Sequence, residues 1–158
     1  MDALNLPRPA WMTEELVLLE EQARRFMATE YVPHLDAWNE KGMYPREVWT
    51  KTGAAGLLCP AIPEEYGGVG GSFAHEAVIG RELSLAGFDS FGAPLHSGIV
   101  APYILHYGTE EQKRRWLPKL VSGELVGAIA MSETPLAPAV GSVLATTMIR
   151  SAFWPLVM

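Results

Sequence analysis

The sequence predicts an all-α domain of five or six helices followed by the start of a β domain, and three observations carry that prediction. Apolar residues recur at three- and four-residue steps over most of residues 14–123; Gly, Pro and hydroxyl residues punctuate the pattern where helices should start and stop; and the period changes once, at Leu125–Ser132, to a short continuous apolar run. The 158 residues suffice for one domain, or one and part of a second. Twelve basic against 18 acidic residues leave a formal charge of −6, which excludes the basic footprint of a nucleic-acid or anionic-membrane coat. The single cysteine, Cys59, excludes an internal disulfide framework and a multi-thiolate metal site.

Residues 1–13 form an N-terminal extension with neither a basic start before an apolar core nor an Arg/Ser-rich amphipathic pattern, so no signal or transit peptide is recognised and a cytoplasmic location is expected. From Glu14 to Tyr31, Leu16, Leu19, Ala23, Phe26, Met27 and Tyr31 lie on one face, with Glu20, Glu21, Arg24 and Arg25 between them. Pro33 interrupts this helix, and residues 34–38 resume a helical pattern that ends at Gly42. Pro45 stands where a first helical residue belongs, and Val48, Trp49 and Thr52 give a short helix closed by Gly53 and Gly56. A turn-rich stretch from Pro60 to Gly71, with four glycines at its end, reads as a flexible connection. Ser72 is at an N-cap position before a helix running to Ala86. The run Ser90–Thr109 is uncharged for 20 residues but holds two prolines, three glycines and two histidines, a composition for a buried core helix rather than a membrane span. Thr109 and Gln112 have capping-box spacing, and Trp116, Leu117, Leu120 and Val121 line the helix that follows, to Gly123. Residues 14–123 are thus the helical domain, and residues 124–133 contain the first strand of a second one.

Motif by motif, the chemistry searches narrow the field. Gly68-Val69-Gly70 begins like a dinucleotide fingerprint, but Phe73 holds the third glycine's place and no strand precedes it. His75-Glu76 begins like a zinc-protease helix, yet Ile79 stands where the second histidine is needed. His96 and His106, ten residues apart on one helix, point in different directions. No Gly-x-Ser-x-Gly elbow is present, and Cys59 reads as a small buried hydrophobe. These residues specify a helical domain and no catalytic residue.

A resemblance adds a function. The blocks Pro63 to Gly71, Leu95-His96-Ser97 to Pro102, Tyr107 to Lys113, Trp116 to Leu120 and Gly123 to Glu133 occur in an order that resembles the N-terminal region of acyl-CoA dehydrogenases, most closely the long-chain type. The resemblance spans roughly residues 14–133 and implies an acyl-CoA dehydrogenase N-terminal-like helical domain, with a β domain and a C-terminal four-helix domain beyond it. It implies FAD as cofactor, acyl-CoA as substrate, an electron-transfer flavoprotein as electron acceptor, and a homo-oligomer. In such enzymes a carboxylate removes the α proton while FAD N5 accepts the β hydride. Carried onto this sequence, Ile129, Met131 and Ser132 match the strand whose backbone and hydroxyl contact the flavin; a buried strand with a capping Ser is the plainer alternative. Leu95 and Ile99 match a helix that approaches the acyl chain, with core packing the preferred reading for each. A related acyl-CoA oxidase or flavin monooxygenase, or a non-catalytic helical interaction module, remains open.

After Glu133 the resemblance stops. Relatives continue with Pro-Gly-x-Gly-Ser-Asp; here Thr134 to Val140 intervene before Gly141-Ser142, and Val143 replaces the Asp. Of the 30 charged residues only Arg150 falls in 134–158. This stretch is expected to be poorly ordered, and the abrupt change at one residue suggests a truncated or frame-shifted product that lacks the catalytic base and most of the flavin site.

Overall fold

The structure is a computed structural model that describes residues 9–88, 90–132 and 144–150, with 130–132 and 144–150 described by their backbone. Helix α1 (Glu14–Phe26) starts where Thr13 Oγ1 accepts the Leu16 amide at 3.3 Å, and its first and last turns carry Glu14 and Glu15 against Arg24 and Arg25, the order that favours the helix dipole. The helix runs on through a π turn, Met27–Tyr31, and a 3₁₀ turn, Val32–His34, which absorb Pro33, into α2 (Leu35–Lys41), ended by Gly42 at φ 64°. Helix α3 (Arg46–Ala54) follows Pro45. Gly53 lies inside α3 rather than closing it, and Gly56 takes the left-handed position at φ 70°.

The stretch 60–71 is pinned rather than flexible. The Gly70 amide donates to Ile62 O at 2.9 Å and the Gly71 amide to Pro60 O at 2.8 Å, while Tyr66, buried, donates to Glu110 Oε2 at 2.9 Å. The loop thereby folds back on itself and is tied to the helix beginning at 110. Helix α4 (Phe73–Leu85) begins as expected at Ser72, whose Oγ accepts the Ala74 amide at 3.3 Å; His75 Nδ1 accepts the Ser72 amide at 3.0 Å in the role a Glu or Gln usually fills. Helices α1 and α4 pack together through Ala23 and Leu83 in the core and through a charge network at its edge. There Glu82, almost fully buried, accepts from Arg24 at 3.0 Å and Arg81 at 2.7 Å, and Arg81 also meets Glu20 at 2.7 Å. A buried carboxylate needs such partners, because its desolvation would otherwise outweigh what packing supplies.

The predicted core helix is a rod in three parts: α5 (Ala93–Leu95), a π segment His96–Val100, and α6 (Ala101–Tyr107). Helix α7 (Glu110–Val121) starts with the expected capping box: the Thr109 amide donates to Gln112 Oε1 at 2.8 Å, and the Gln112 amide to Thr109 Oγ1 at 3.3 Å. Aromatic rings from α1, α2, α3 and the 88–91 turn form the centre of the core, with Tyr31 against Phe88 at 4.6 Å and Trp49 against Phe91 at 4.5 Å between ring centroids. Strand β1 (Val126–Ser132) pairs antiparallel with β2 (Leu144–Arg150), Val126 opposite Arg150 and Ser132 opposite Leu144. Within the stretch expected to be poorly ordered, 144–150 therefore has strand backbone; 134–143 and 151–158 lie outside the described residues. Among the described residues no helix is long and apolar enough to cross a membrane.

Candidate functional site

The π segment is where the rod meets β1, and His96 makes the joint. Its ring is fully buried; Nδ1 lies 2.9 Å from the Gly127 amide and Nε2 3.0 Å from Leu120 O. An amide only donates, so Nδ1 accepts, the proton sits on Nε2, and Nε2–H donates to the Leu120 carbonyl. One neutral imidazole thus ties the rod, α7 and β1 together. Burial, with the Arg46 guanidinium adding to it, holds the His96 pKa below the usual histidine value against the opposing pull of the Leu120 carbonyl. The widened π turn lets this ring point inward between two prolines, Pro94 and Pro102.

Around this joint the structure places the predicted site residues unequally. Ile129 on β1 is half-buried and packs against the core. Met131 and Ser132 take part in the β1–β2 ladder opposite Ala145 and Leu144; their side chains lie outside the described residues. Leu95 and Ile99 are not core residues: they are 37% and 51% exposed. They stand four residues apart, and Tyr103 and Tyr107, 53% and 77% exposed, continue the same stripe along the rod. Neither is therefore a fully packed core residue: each leaves a third to a half of its surface exposed. The structure brings Ile99's π segment against β1 but leaves the stripe open.

FAD can be tested against these residues. A strand and an apolar helix face supply one wall for a flat ring. The cleft between α4 and the rod has a volume of about 150 Å³, below the roughly 300–1,000 Å³ of ordinary cofactor and ligand pockets. That cleft does not fit the whole cofactor.

Two features escaped the sequence reading. His96 looked like one of two unrelated histidines, although its place in an uncharged helix, where a lone polar ring must find partners, was a usable signal. Glu76, on α4, lines the cleft with Oε1 enclosed and without a hydrogen-bond partner, while its carboxylate accepts from the Ala61 amide. Burial raises its pKa from the ordinary 4.5 to about 7. Nearby Cys59 is fully buried, and burial lifts its thiol to about 12, which removes it as a nucleophile at neutral pH.

The Glu76 shift has a signed consequence. The folded chain holds this proton more tightly than the unfolded one, so stability is fully present below about pH 4.5 and is lost as pH rises towards 7. The shift corresponds to about 3 kcal/mol. Glu76→Gln, which cannot ionise, is expected to match the wild type near pH 4.5 and to exceed it by about 2–3 kcal/mol at pH 8. Urea midpoints of both proteins across that range check this; a gap that does not widen with pH would contradict it.

A helical domain with this element order, followed by the first strand of a sheet, is the class of N-terminal domain that the resemblance to acyl-CoA dehydrogenases implies. The profile of the family described as acyl-CoA dehydrogenase, N-terminal domain, matches residues 13–124, and the chain belongs to that family. It is 41% identical over 116 residues to the mouse long-chain specific acyl-CoA dehydrogenase, a mitochondrial protein, covering 73% of this chain and 27% of that one. Among solved structures, an acyl-CoA dehydrogenase from Geobacillus kaustophilus superposes with a TM-score of 0.73 at 44% identity, over 75% of this chain and 31% of the other. A glutaryl-CoA dehydrogenase from Mycobacterium smegmatis, solved in complex with FADH2, gives 0.67 at 28% identity, over 72% and 30%. The chain spans about a quarter of the length of the curated relatives it matches.

Proposed function

We propose that this chain supplies the N-terminal helical part of an FAD-dependent acyl-CoA dehydrogenase and does not itself oxidise acyl-CoA. The observation that carries this reading is the bare stripe Leu95, Ile99, Tyr103 and Tyr107 beside β1: an apolar wall of a site, with no opposite wall among the described residues. In that whole, Ile129, Met131 and Ser132 would lie on the flavin side and Leu95 and Ile99 on the acyl side. Bound flavin would supply the hydride acceptor; these residues would orient its ring and exclude water. Acyl-CoA as substrate, an electron-transfer flavoprotein as acceptor, assembly as a homo-oligomer and a cytoplasmic location belong to the same reading.

Two measurements test it. The purified 158-residue chain is expected to be colourless and to reduce no dye with any acyl-CoA; a yellow protein with flavin absorbance overturns the claim that it lacks a complete site. Residues 14–132 grafted in place of the matching segment of the Geobacillus relative are expected to give a flavin-loaded, active chimera. A folded chimera without flavin overturns the assignment of the domain.

A further inference from the structure

One hydrogen bond phases the β1–β2 ladder. In an antiparallel pair, opposed residues alternate between couples that turn their amides and carbonyls toward each other and couples that turn both outward. The Gly127 amide donates to His96 Nδ1 at 2.9 Å, so it is not bonded to β2. Gly127 and its partner Ile149 are therefore an outward-turned couple, and the alternation makes Ile129–Thr147 and Met131–Ala145 outward-turned as well. Ala145, Thr147 and Ile149 thus present their backbone amides and carbonyls on the side of β2 away from β1.

The two outer edges of this sheet differ. At β1 the rod covers the edge where it begins: His96 takes the Gly127 amide, and a Cβ at Gly127 would lie 2.7 Å from Val100 Cγ1. At β2, among the described residues, no strand pairs with the outer edge. Apart from Arg150 at its end, the strand Leu144–Arg150 holds no charge, and it holds no proline, so it lacks the devices that keep an open edge from pairing.

We infer that β2 pairs with β2 of a second copy of this chain, antiparallel about Thr147, so that two chains share a four-stranded sheet in the order β1–β2–β2–β1. The phase of the ladder sets the register. The open groups recur on every second residue, and centring on Thr147 brings them together over the whole strand: Ala145 faces Ile149 of the second copy, Thr147 faces Thr147 of the second copy, and each couple exchanges two hydrogen bonds. The single charge selects the direction. Antiparallel pairing sets Arg150 opposite Leu144 of the second copy, whereas parallel pairing in register would set two arginines side by side. The contact is self-complementary and closes on itself, because the edge left over on either side is the one that starts against the rod. It stands without the flavin reading, since β2 lies beyond residues 13–124, which the family profile matches.

Sedimentation of the full 158-residue chain is expected to show a monomer–dimer equilibrium, and hydrogen exchange at the Ala145, Thr147 and Ile149 amides is expected to slow as the chain concentration rises. Thr147→Pro deletes the central outward amide and leaves the bonds to β1, because proline is tolerated where an edge amide faces outward; it is expected to weaken the dimer about tenfold or more. Tyr103→Glu, on the bare stripe of the rod, is expected to leave the dimer unchanged. The inference is overturned if the chain sediments as a monomer at the concentrations NMR uses, if Thr147→Pro dimerises as tightly as the wild type, if Tyr103→Glu splits the dimer, or if the three amides exchange at a rate independent of concentration.

Discussion

Gly123→Ala is expected to cost more than about 4 kcal/mol and to leave little cooperatively folded protein, against a stability of about 5–15 kcal/mol for a domain of this kind. Gly123 follows α7 at φ 73°, and a Cβ there would lie 2.2 Å from the Trp49 carbonyl oxygen and 2.5 Å from its carbon. Those atoms are helix backbone and cannot rotate away. Gly53 makes the reciprocal contact, its Cβ position lying 2.4 Å from the Ser122 carbonyl carbon. So α3 and the end of α7 touch backbone to backbone through two glycines seventy residues apart in sequence. Gly56 is the control: at φ 70° it has the same left-handed strain, but its Cβ would meet nothing within 4 Å. Gly56→Ala is therefore expected to cost only about 1–2 kcal/mol. Urea unfolding of the two variants separates conformational strain from backbone contact; equal losses would mean that the close approach carries no weight.

The same pair of glycines shows what could be read from the sequence. Helix starts were legible because their chemistry is local: Ser72, and Thr109 with Gln112, have their partners within three residues. Gly53 read as a helix stop because the backbone that requires it, at Ser122, is distant in the chain. Residues 90–109 read as one regular helix, since a π turn leaves the apolar composition unchanged and alters only the hydrogen-bond step. Leu95 and Ile99 read as core, because hydropathy shows that a residue is apolar and not whether another element covers it. Glu76 was invisible for the opposite reason: a lone carboxylate among Ala74, Ala77 and Val78 looks like the polar edge of a helix until the packed rod encloses it. The pairing of 144–150 with β1 is likewise non-local, and nothing in its own pattern announced it.

His96→Phe is expected to destabilise the chain by about 4 kcal/mol. Phenylalanine more than fills the imidazole's volume and can keep the edge contact with Trp49, whose ring centroid is 5.3 Å from that of His96, so no cavity is left. What it removes is the pairing of two buried backbone groups, the Gly127 amide and the Leu120 carbonyl, each worth roughly 1–3 kcal/mol when left unsatisfied. Hydrogen exchange at the Gly127 amide is expected to quicken more than at α1 amides, since the joint between the rod and β1 opens first. The pH dependence separates this role from mere packing. Burial lowers the His96 pKa, so below about 6.5 the unfolded chain takes up a proton that the folded chain refuses, and the wild type loses stability as pH falls. Glu76 drives the opposite trend across part of the same range, but both proteins share it. The stability difference between wild type and His96→Phe therefore isolates the histidine, and it is expected to shrink as pH is lowered from 7.5 through 6. A constant difference would mean that His96 acts through its volume, and that the assigned tautomer does not hold β1 to the rod.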